Sequence, residues 1–135
     1  MLKLVQTSPG RFELAYDDPA KKDTKAKAAT IVYAAIFTDA EAPLSRVDGD
    51  AWERRGYWAD PKAGSGCWHV RRQPLTHNAR LESIRDARRA LDRHRPALDD
   101  ISVKEASGSG RNPVAVMLDI SAGYAGDNVL LQVPL

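Results

Sequence analysis

The stretch Thr76 to His94, THNARLESIRDARRALDRH, carries the clearest structural pattern in the chain. Thr76 can act as an N-cap, because its side-chain oxygen can accept from the backbone N–H groups that open a helix. Apolar side chains recur at helical spacing on one face, at Leu81, Ile84, Ala87 and Leu91. The pattern predicts a helix to about His94, which Pro96 ends or kinks, with this apolar face packed on a sheet and most of its arginines outside.

Three short segments after this helix carry the pattern of β-strands. They are Ile101 to Ala106, Val114 to Ser121, and Val129 to Val133. In the second segment, larger apolar residues at Val114, Val116, Leu118 and Ile120 alternate with Ala115, Met117 and Asp119. This alternation predicts that one face of the strand is more buried. Ser107 to Gly110 is predicted to join the first two strands. Gly126 to Asn128 is predicted to turn the second into the third, in a loop that begins near Ala122.

The first half of the chain carries shorter patterns. Leu2 to Val5 and Arg11 to Tyr16 are predicted as short strands, and Asp17 to Lys27 as a polar loop or the start of a helix. The run Ala28 to Phe37, AATIVYAAIF, favours a strand because it is rich in β-branched and aromatic residues. Its alanines leave a buried helix open. Thr38 to Asp50 is predicted as a loop.

The segment Ala51 to Trp68, AWERRGYWADPKAGSGCW, holds all three tryptophans of the chain. Its glycines and proline break it too often for a long helix or strand, so it is predicted as an ordered loop. Either the rings fold back onto the domain as a plug, or a partner protein covers them. Together the elements predict an α+β fold: one long helix packed on a small antiparallel sheet, with the aromatic-rich loop before the helix.

Composition limits the class of protein. A chain of 135 residues suits a single domain, and residues 1–27 are open to two interpretations, as part of it or as an extended N-terminal arm. The net charge of +2 is too small to indicate nucleic-acid binding by itself. No apolar run approaches membrane-spanning length, and the first ten residues lack the pattern of a signal peptide.

Two groups of residues raise the question of catalysis. Cys67 and His69 would share a face in a strand, which would suit a metal or a nucleophilic pair. One cysteine and three scattered histidines do not make a closed zinc set, so a packed thiol is favoured. Four carboxylates cluster in sequence, at Asp48, Asp50, Glu53 and Asp60. Such acids more often cap turns and form local ion pairs than act as a glycosidase pair. No catalytic residue, metal or cofactor is expected.

The predicted helix is unusually rich in arginine. It and the residue that follows carry Arg80, Arg85, Arg88, Arg89, Arg93 and Arg95 against Glu82, Asp86 and Asp92. A basic face of this kind can contact nucleic acid. The interleaved acids instead favour a solvated or protein-facing surface, since arginine is also the cation most enriched at protein interfaces.

Four short motifs occur in order between Ala28 and Val103. They are Ile36-Phe37-Thr38-Asp39, Arg55-Gly56-Tyr57-Trp58-Ala59-Asp60, Gly64-Ser65-Gly66-Cys67-Trp68, and Arg72 with Thr76 at the opening of the helix. With these motifs the chain resembles the small baseplate proteins of Mu-like contractile phage tails and related tailocins. These belong to a wider group of baseplate wedge and sheath-initiator proteins that includes a short T-even phage wedge protein.

The resemblance implies a structural subunit of the tail baseplate with no catalytic mechanism. Copies would form a ring, attach to larger wedge proteins and to tail tube or hub proteins, and offer an exposed sheet edge to which sheath subunits add strands. No membrane or nucleic-acid partner is expected. The protein would be made in the bacterial cytoplasm and reside in the phage virion or tailocin particle. A nucleic-acid-binding module that uses the arginine-rich helix, and a small lysozyme-like hydrolase, are the alternatives.

Two sets of residues are expected at partner contacts. The aromatic loop contributes Arg54, Arg55, Tyr57, Trp58, Asp60 and Trp68. The C-terminal sheet contributes Val116, Leu118, Val129 and Leu131. Trp58 is further expected to be the buried anchor of the loop, and the C-terminal hairpin to be the edge that faces the sheath.

Overall fold

A computed structural model describes residues 2–8, 11–16, 23–47, 51–107 and 116–135 of the chain. These residues form two antiparallel sheets, one of two strands and one of three. The strands are β1 Leu2–Ser8, β2 Arg11–Tyr16, β3 Asp99–Glu105, β4 Met117–Tyr124 and β5 Asp127–Pro134. The α-helices are α1 Thr24–Phe37, α2 Cys67–Val70 and α3 His77–Asp92, and two 3₁₀ helices span Leu44–Arg46 and Ala51–Arg54.

The expected architecture of one long helix on a single small sheet is wrong. The described part of the chain holds three α-helices, of which the longest has 16 residues, and two separate sheets. The additional layer comes from α1 and from the β1–β2 hairpin that packs on it. The ring of Phe12 on β2 lies edge-on to that of Tyr33 on α1, with centroids 4.4 Å apart.

Helix α1 replaces the strand predicted for Ala28 to Phe37. The side chain of Asp23 caps it by accepting a hydrogen bond from the backbone nitrogen of Ala26 at 3.0 Å. Half of its positions are buried, at Ala26, Ala28, Ala29, Val32, Tyr33, Ala35 and Ile36. Alanine is the strongest helix former, and α1 carries only two charged residues, Lys25 and Lys27, both near its start, so its apolar run resembles that of a buried strand.

Helix α3 confirms the predicted N-cap, since Thr76 Oγ1 accepts from the backbone nitrogen of Ala79 at 3.2 Å. The predicted apolar face is wrong at Leu81, which is 51% exposed. The buried positions are instead Ala79, Arg80, Ser83, Ala87, Ala90 and Leu91, because the helix packs against α1, α2 and β3 together. Burial of Arg80 is compensated by an ion pair with Glu105 of β3 at 2.5 Å.

The C-terminal sheet has the order β3-β4-β5, and both pairs are antiparallel. The strands predicted at Ile101 to Ala106 and Val129 to Val133 are confirmed within their ends as β3 and β5. The strand predicted at Val114 to Ser121 overlaps β4, but Val114 and Ala115 lie outside the described residues, as do most of Ser107 to Gly110 and the pair Asp48-Gly49.

The turn between β4 and β5 differs from the prediction. Ala125 and Gly126 form a two-residue turn, with φ of 52° and 87° respectively. Two-residue hairpin turns need positive φ because their twist then matches that of the strands. Asp127 and Asn128 therefore belong to β5, and Ala122 lies within β4 rather than at the start of a loop.

The main core lies between the C-terminal sheet and the helices. Its most deeply buried side chains include Val32, Val70, Leu91, Leu98, Val116, Leu118, Ile120 and Val133. Along β5 the burial alternates, with Val129, Leu131 and Val133 inside. One face of the sheet is thus used by the core, which leaves the opposite face and the edges accessible to another chain.

Candidate partner-binding surfaces

Trp68, rather than Trp58, is the buried anchor of the aromatic segment. Trp68 is 5% exposed, and its indole nitrogen donates to the carbonyl oxygen of Ala40 at 2.7 Å. The guanidinium groups of Arg55 and Arg72 lie over its ring, 4.7 and 5.1 Å from the centroid. The indole ring thus packs with Ala42 and Val47, and the guanidinium groups of two arginines lie over its face.

The other rings of this segment lie at the surface of the chain. Trp58 is 87% exposed and Trp52 is 95% exposed, so the expectation that Trp58 is buried within the domain is wrong. Tyr57 is 44% exposed, and its ring lies 5.7 Å from that of Trp58. The plug interpretation therefore holds for Trp68, whereas Tyr57 and Trp58 form an exposed aromatic pair.

The segment that carries these rings is held in place by the end of α1. Ser65 donates its backbone nitrogen to the carbonyl of Thr38 at 2.9 Å, and its hydroxyl to the carbonyl of Ile36 at 2.6 Å. Gly64 has φ of 87°, and a Cβ there would stand 2.0 Å from the Thr38 oxygen. Two of the sequence motifs, residues 36–39 and 64–68, are thus in direct contact and position the aromatic segment.

The charged residues expected at partner contacts already hold this segment within the chain. Arg54 donates to the carbonyl of Ala42 at 2.7 Å and pairs with Glu41 at 2.9 Å. Asp60 accepts from the backbone nitrogen of Lys62 at 3.0 Å and pairs with Arg93 of α3 at 3.0 Å.

Arg55, which has φ of 55°, pairs with Asp39 at 3.1 Å. These contacts orient the loop, and they bring Arg93 of the basic helix into the same surface as the aromatic segment.

The expected contact residues of the C-terminal sheet face the core. Val116, Leu118, Val129 and Leu131 are each 5% exposed or less. These four side chains are therefore not available to a partner, and β4, which has a described strand on either side, has no open edge. Of the two candidate strands, only β5 has an open side in the described part of the chain.

The hydrogen-bond register shows which groups of β5 point outward. The backbone nitrogen of Leu135 donates to the carbonyl of Val116 at 2.8 Å, which sets the alternation for the whole pair. Leu131, opposite Ile120, therefore directs its N–H and carbonyl toward β4. Leu130, one residue away, directs them outward, and its side chain is 65% exposed.

The outer edge of β5 lacks the charges that usually oppose strand pairing, although Pro134, near its end, has no N–H to offer on that side. No charged residue occurs from Asn128 to Leu135. The opposite edge of the sheet, β3, carries four charged residues, at Asp99, Asp100, Lys104 and Glu105, and its register is interrupted between Asp99 and Ser102. Charges and bulges at an edge oppose the addition of a further strand, so β5 is the edge suited to a partner strand.

A polar cleft of about 590 Å³ lies between residues 61–66 and α3. His69 and Asp86 both line it, and each lies close to Gly66. Burial lowers the pKa of the His69 imidazole, and the Asp86 carboxylate offsets part of that shift. Burial raises the pKa of Asp86, against the opposing effect of Arg89. Sequence reasoning missed this pair, because no motif links the two positions.

Cys67 and His69 do not form the pair that a strand would have produced. They lie in the short helix α2, where residues two apart point to different sides. The thiol of Cys67 is buried near the carbonyl of Ser83, at 3.8 Å, and burial raises its pKa. Within the described residues no group of three or more His, Cys, Asp or Glu side chains could hold a metal ion.

Comparison with known sequences identifies the class as that of phage proteins. The model of the family described as Phage protein GP46 matches residues 28–128, and because this covers more than half of the chain, the protein belongs to that family. No curated protein and no solved structure matches the chain. In the described part of the chain, no helix is long and apolar enough to cross a membrane.

Proposed function

We propose that this phage protein is a structural subunit of a contractile tail baseplate, in a phage or a tailocin. In this role it joins larger wedge proteins and tail tube or hub proteins, and it starts the sheath by accepting a strand from a sheath subunit. The observation that carries the proposal is the edge of β5, which is open in the described residues and carries no charge from Asn128 to Leu135. Membership of a phage protein family and the baseplate-like motifs support it.

The edge of β5 supplies a physical route for sheath attachment. An added strand pairs with the outward backbone groups of Asn128 and Leu130, and each hydrogen bond contributes about 0.5–1.5 kcal/mol. The exposed Leu130 side chain adds apolar area to the contact. A few such hydrogen bonds bind one sheath subunit weakly. When a ring of copies binds a ring of sheath subunits, each contact raises the effective concentration for the next, so the overall affinity is much higher.

The exposed aromatic pair supports a separate contact with the wedge proteins. Trp58 and Tyr57 project from a segment that Trp68 and Ser65 pin to the domain. Tyrosine and tryptophan dominate binding energy at protein interfaces, and a pre-organised segment loses little conformational entropy on binding. The sheath and wedge contacts then use different parts of the molecule.

A proline at Leu130 tests the proposal. Leu130→Pro removes an outward N–H and leaves the hydrogen bonds to β4 in place, so the chain folds and enters baseplates. We expect these baseplates to lack sheath in negative-stain electron microscopy of assembled tails. Leu130→Ala, which keeps the N–H, is the matched control and should give normal sheaths. Full-length sheathed tails that contain the proline variant would refute the role of this edge.

A further inference from the structure

The polar cleft beneath residues 61–66 has a surplus of positive charge. Five cationic and three carboxylate side chains line it. Each carboxylate has an arginine partner: Glu41 with Arg54 at 2.9 Å, Glu82 with Arg46 at 2.8 Å, and Asp86 with Arg89 at 3.8 Å. Lys62 and Arg85, both exposed, form no ion pair with any carboxylate that the structure describes. The cleft therefore offers two cations to an incoming anion.

The cleft is formed before any ligand arrives. Its walls are joined by backbone hydrogen bonds, from Glu41 to the carbonyl of Pro61 at 2.7 Å and from Ala40 to that of Ser65 at 3.0 Å. Its floor depends on Gly66, where a Cβ would stand 2.6 Å from an oxygen of Asp86. A fixed, glycine-floored cleft of this size needs little reorganisation to bind a side chain.

We propose that this cleft binds an acidic side chain of a partner protein, with Arg85 and Lys62 as its cationic contacts. The proposal rests on the proposed function, because it identifies the chemistry of one neighbour that a baseplate subunit would contact. The planar guanidinium of Arg85 suits a carboxylate, which it can bind through two parallel hydrogen bonds. The three carboxylates in the lining oppose a run of phosphates, so a single acidic side chain fits better than a nucleic-acid backbone.

The isolated chain allows a direct test with a defined probe. A fluorescein-labelled glycine–serine peptide that carries two glutamates is titrated with the protein, and binding is followed by fluorescence polarisation. Arg85→Glu should weaken binding at least tenfold, and Arg85→Gln and Lys62→Gln by smaller factors. Arg88→Glu is the matched control, because Arg88 lies on the same helix, is exposed and does not line the cleft. It should change binding less than twofold. Circular dichroism confirms that each variant is folded.

Several outcomes would overturn the proposal. Equal weakening by Arg85→Glu and Arg88→Glu would show that the peptide binds only to general surface charge. Wild-type affinity in Arg85→Glu would exclude the cleft. Competition by millimolar inorganic phosphate would assign a free-anion site, and tighter binding of a labelled DNA oligonucleotide that depends on Arg85 would assign a nucleic-acid site.

The peptide test and the sheath test fail independently. Peptide binding is measured on the isolated chain and needs no sheath, so sheathed Leu130→Pro tails would remove the proposed function without changing the peptide result. Wild-type peptide affinity in Arg85→Glu would refute peptide binding in the cleft, and it would have no bearing on the proposed role of the β5 edge.

Discussion

Replacing Trp68 by alanine should destabilise the chain far more than the same change at Trp58. Truncation of a buried tryptophan costs about 3–5 kcal/mol, and loss of its indole N–H leaves the Ala40 carbonyl without that donor, a further ~1 kcal/mol or more. The contacts with Arg55 and Arg72 add a smaller part. We expect a loss of about 4 kcal/mol or more, out of a total of about 5–15 kcal/mol for a typical domain. Trp58→Ala, at a residue 87% exposed, should change stability by less than about 0.5 kcal/mol.

Urea denaturation followed by far-ultraviolet circular dichroism measures both free energies of unfolding. Trp68→Phe serves as an intermediate control, because it keeps most of the buried ring but removes the donor to Ala40. It should lose less stability than Trp68→Ala. The argument fails if Trp58→Ala costs as much as Trp68→Ala, or if Trp68→Ala unfolds at the wild-type midpoint.

Three further changes test the described geometry. Leu131→Pro should unfold the isolated chain, because it removes a hydrogen bond to β4 within the core-forming sheet, whereas Leu130→Pro should cost less than about 2 kcal/mol in a urea titration. Lowering the pH below 6.5 should destabilise the chain through His69. Burial lowers the pKa of this imidazole in the folded state, so the unfolded chain takes up the proton first. The loss, at most about 1.4 kcal/mol per pH unit for one proton, should shrink in His69→Gln and persist in His77→Gln. Gly64→Ala should cost about 3 kcal/mol in thermal unfolding, because a side chain at positive φ would also meet a carbonyl oxygen at 2.0 Å; wild-type stability would contradict this.

The sequence predicted those helices and strands whose formation depends on neighbouring residues, through capping, helical spacing or alternation. Thr76 and the apolar spacing after it predicted α3, and the alternation at Val116, Leu118 and Ile120 predicted the strand that overlaps β4. Helix α1 escaped because its apolar run fits a buried strand as well as a buried helix. The choice is made by the Asp23 cap and by packing against β4 and β5, far away in the sequence.

The sequence identified the segments that form the candidate surfaces, but not which of their residues are exposed or which strand lies at an edge. The aromatic segment was identified, yet Trp58 and Trp68 are the same residue type, and only the tertiary structure determines which ring lies beneath Arg55. Strand order is likewise absent from the pattern, so β4 and β5 looked equivalent although only one has an open edge. The cleft brings His69 of α2 and Asp86 of α3 close to Gly66, and no spacing rule in the sequence anticipates that arrangement.

The packing of α1 against strands from the other end of the described chain has a kinetic consequence. Contacts between residues near 30 and residues near 130 close a loop that contains most of the protein. The entropy cost of closing this loop comes before the stabilisation that core packing provides. Helix α1 alone is an alanine-rich apolar cylinder with few polar positions to keep it in solution. Until α1 packs against β4 and β5, its apolar surface is exposed to other partly folded chains. High-level expression should therefore favour aggregation into inclusion bodies over correct folding.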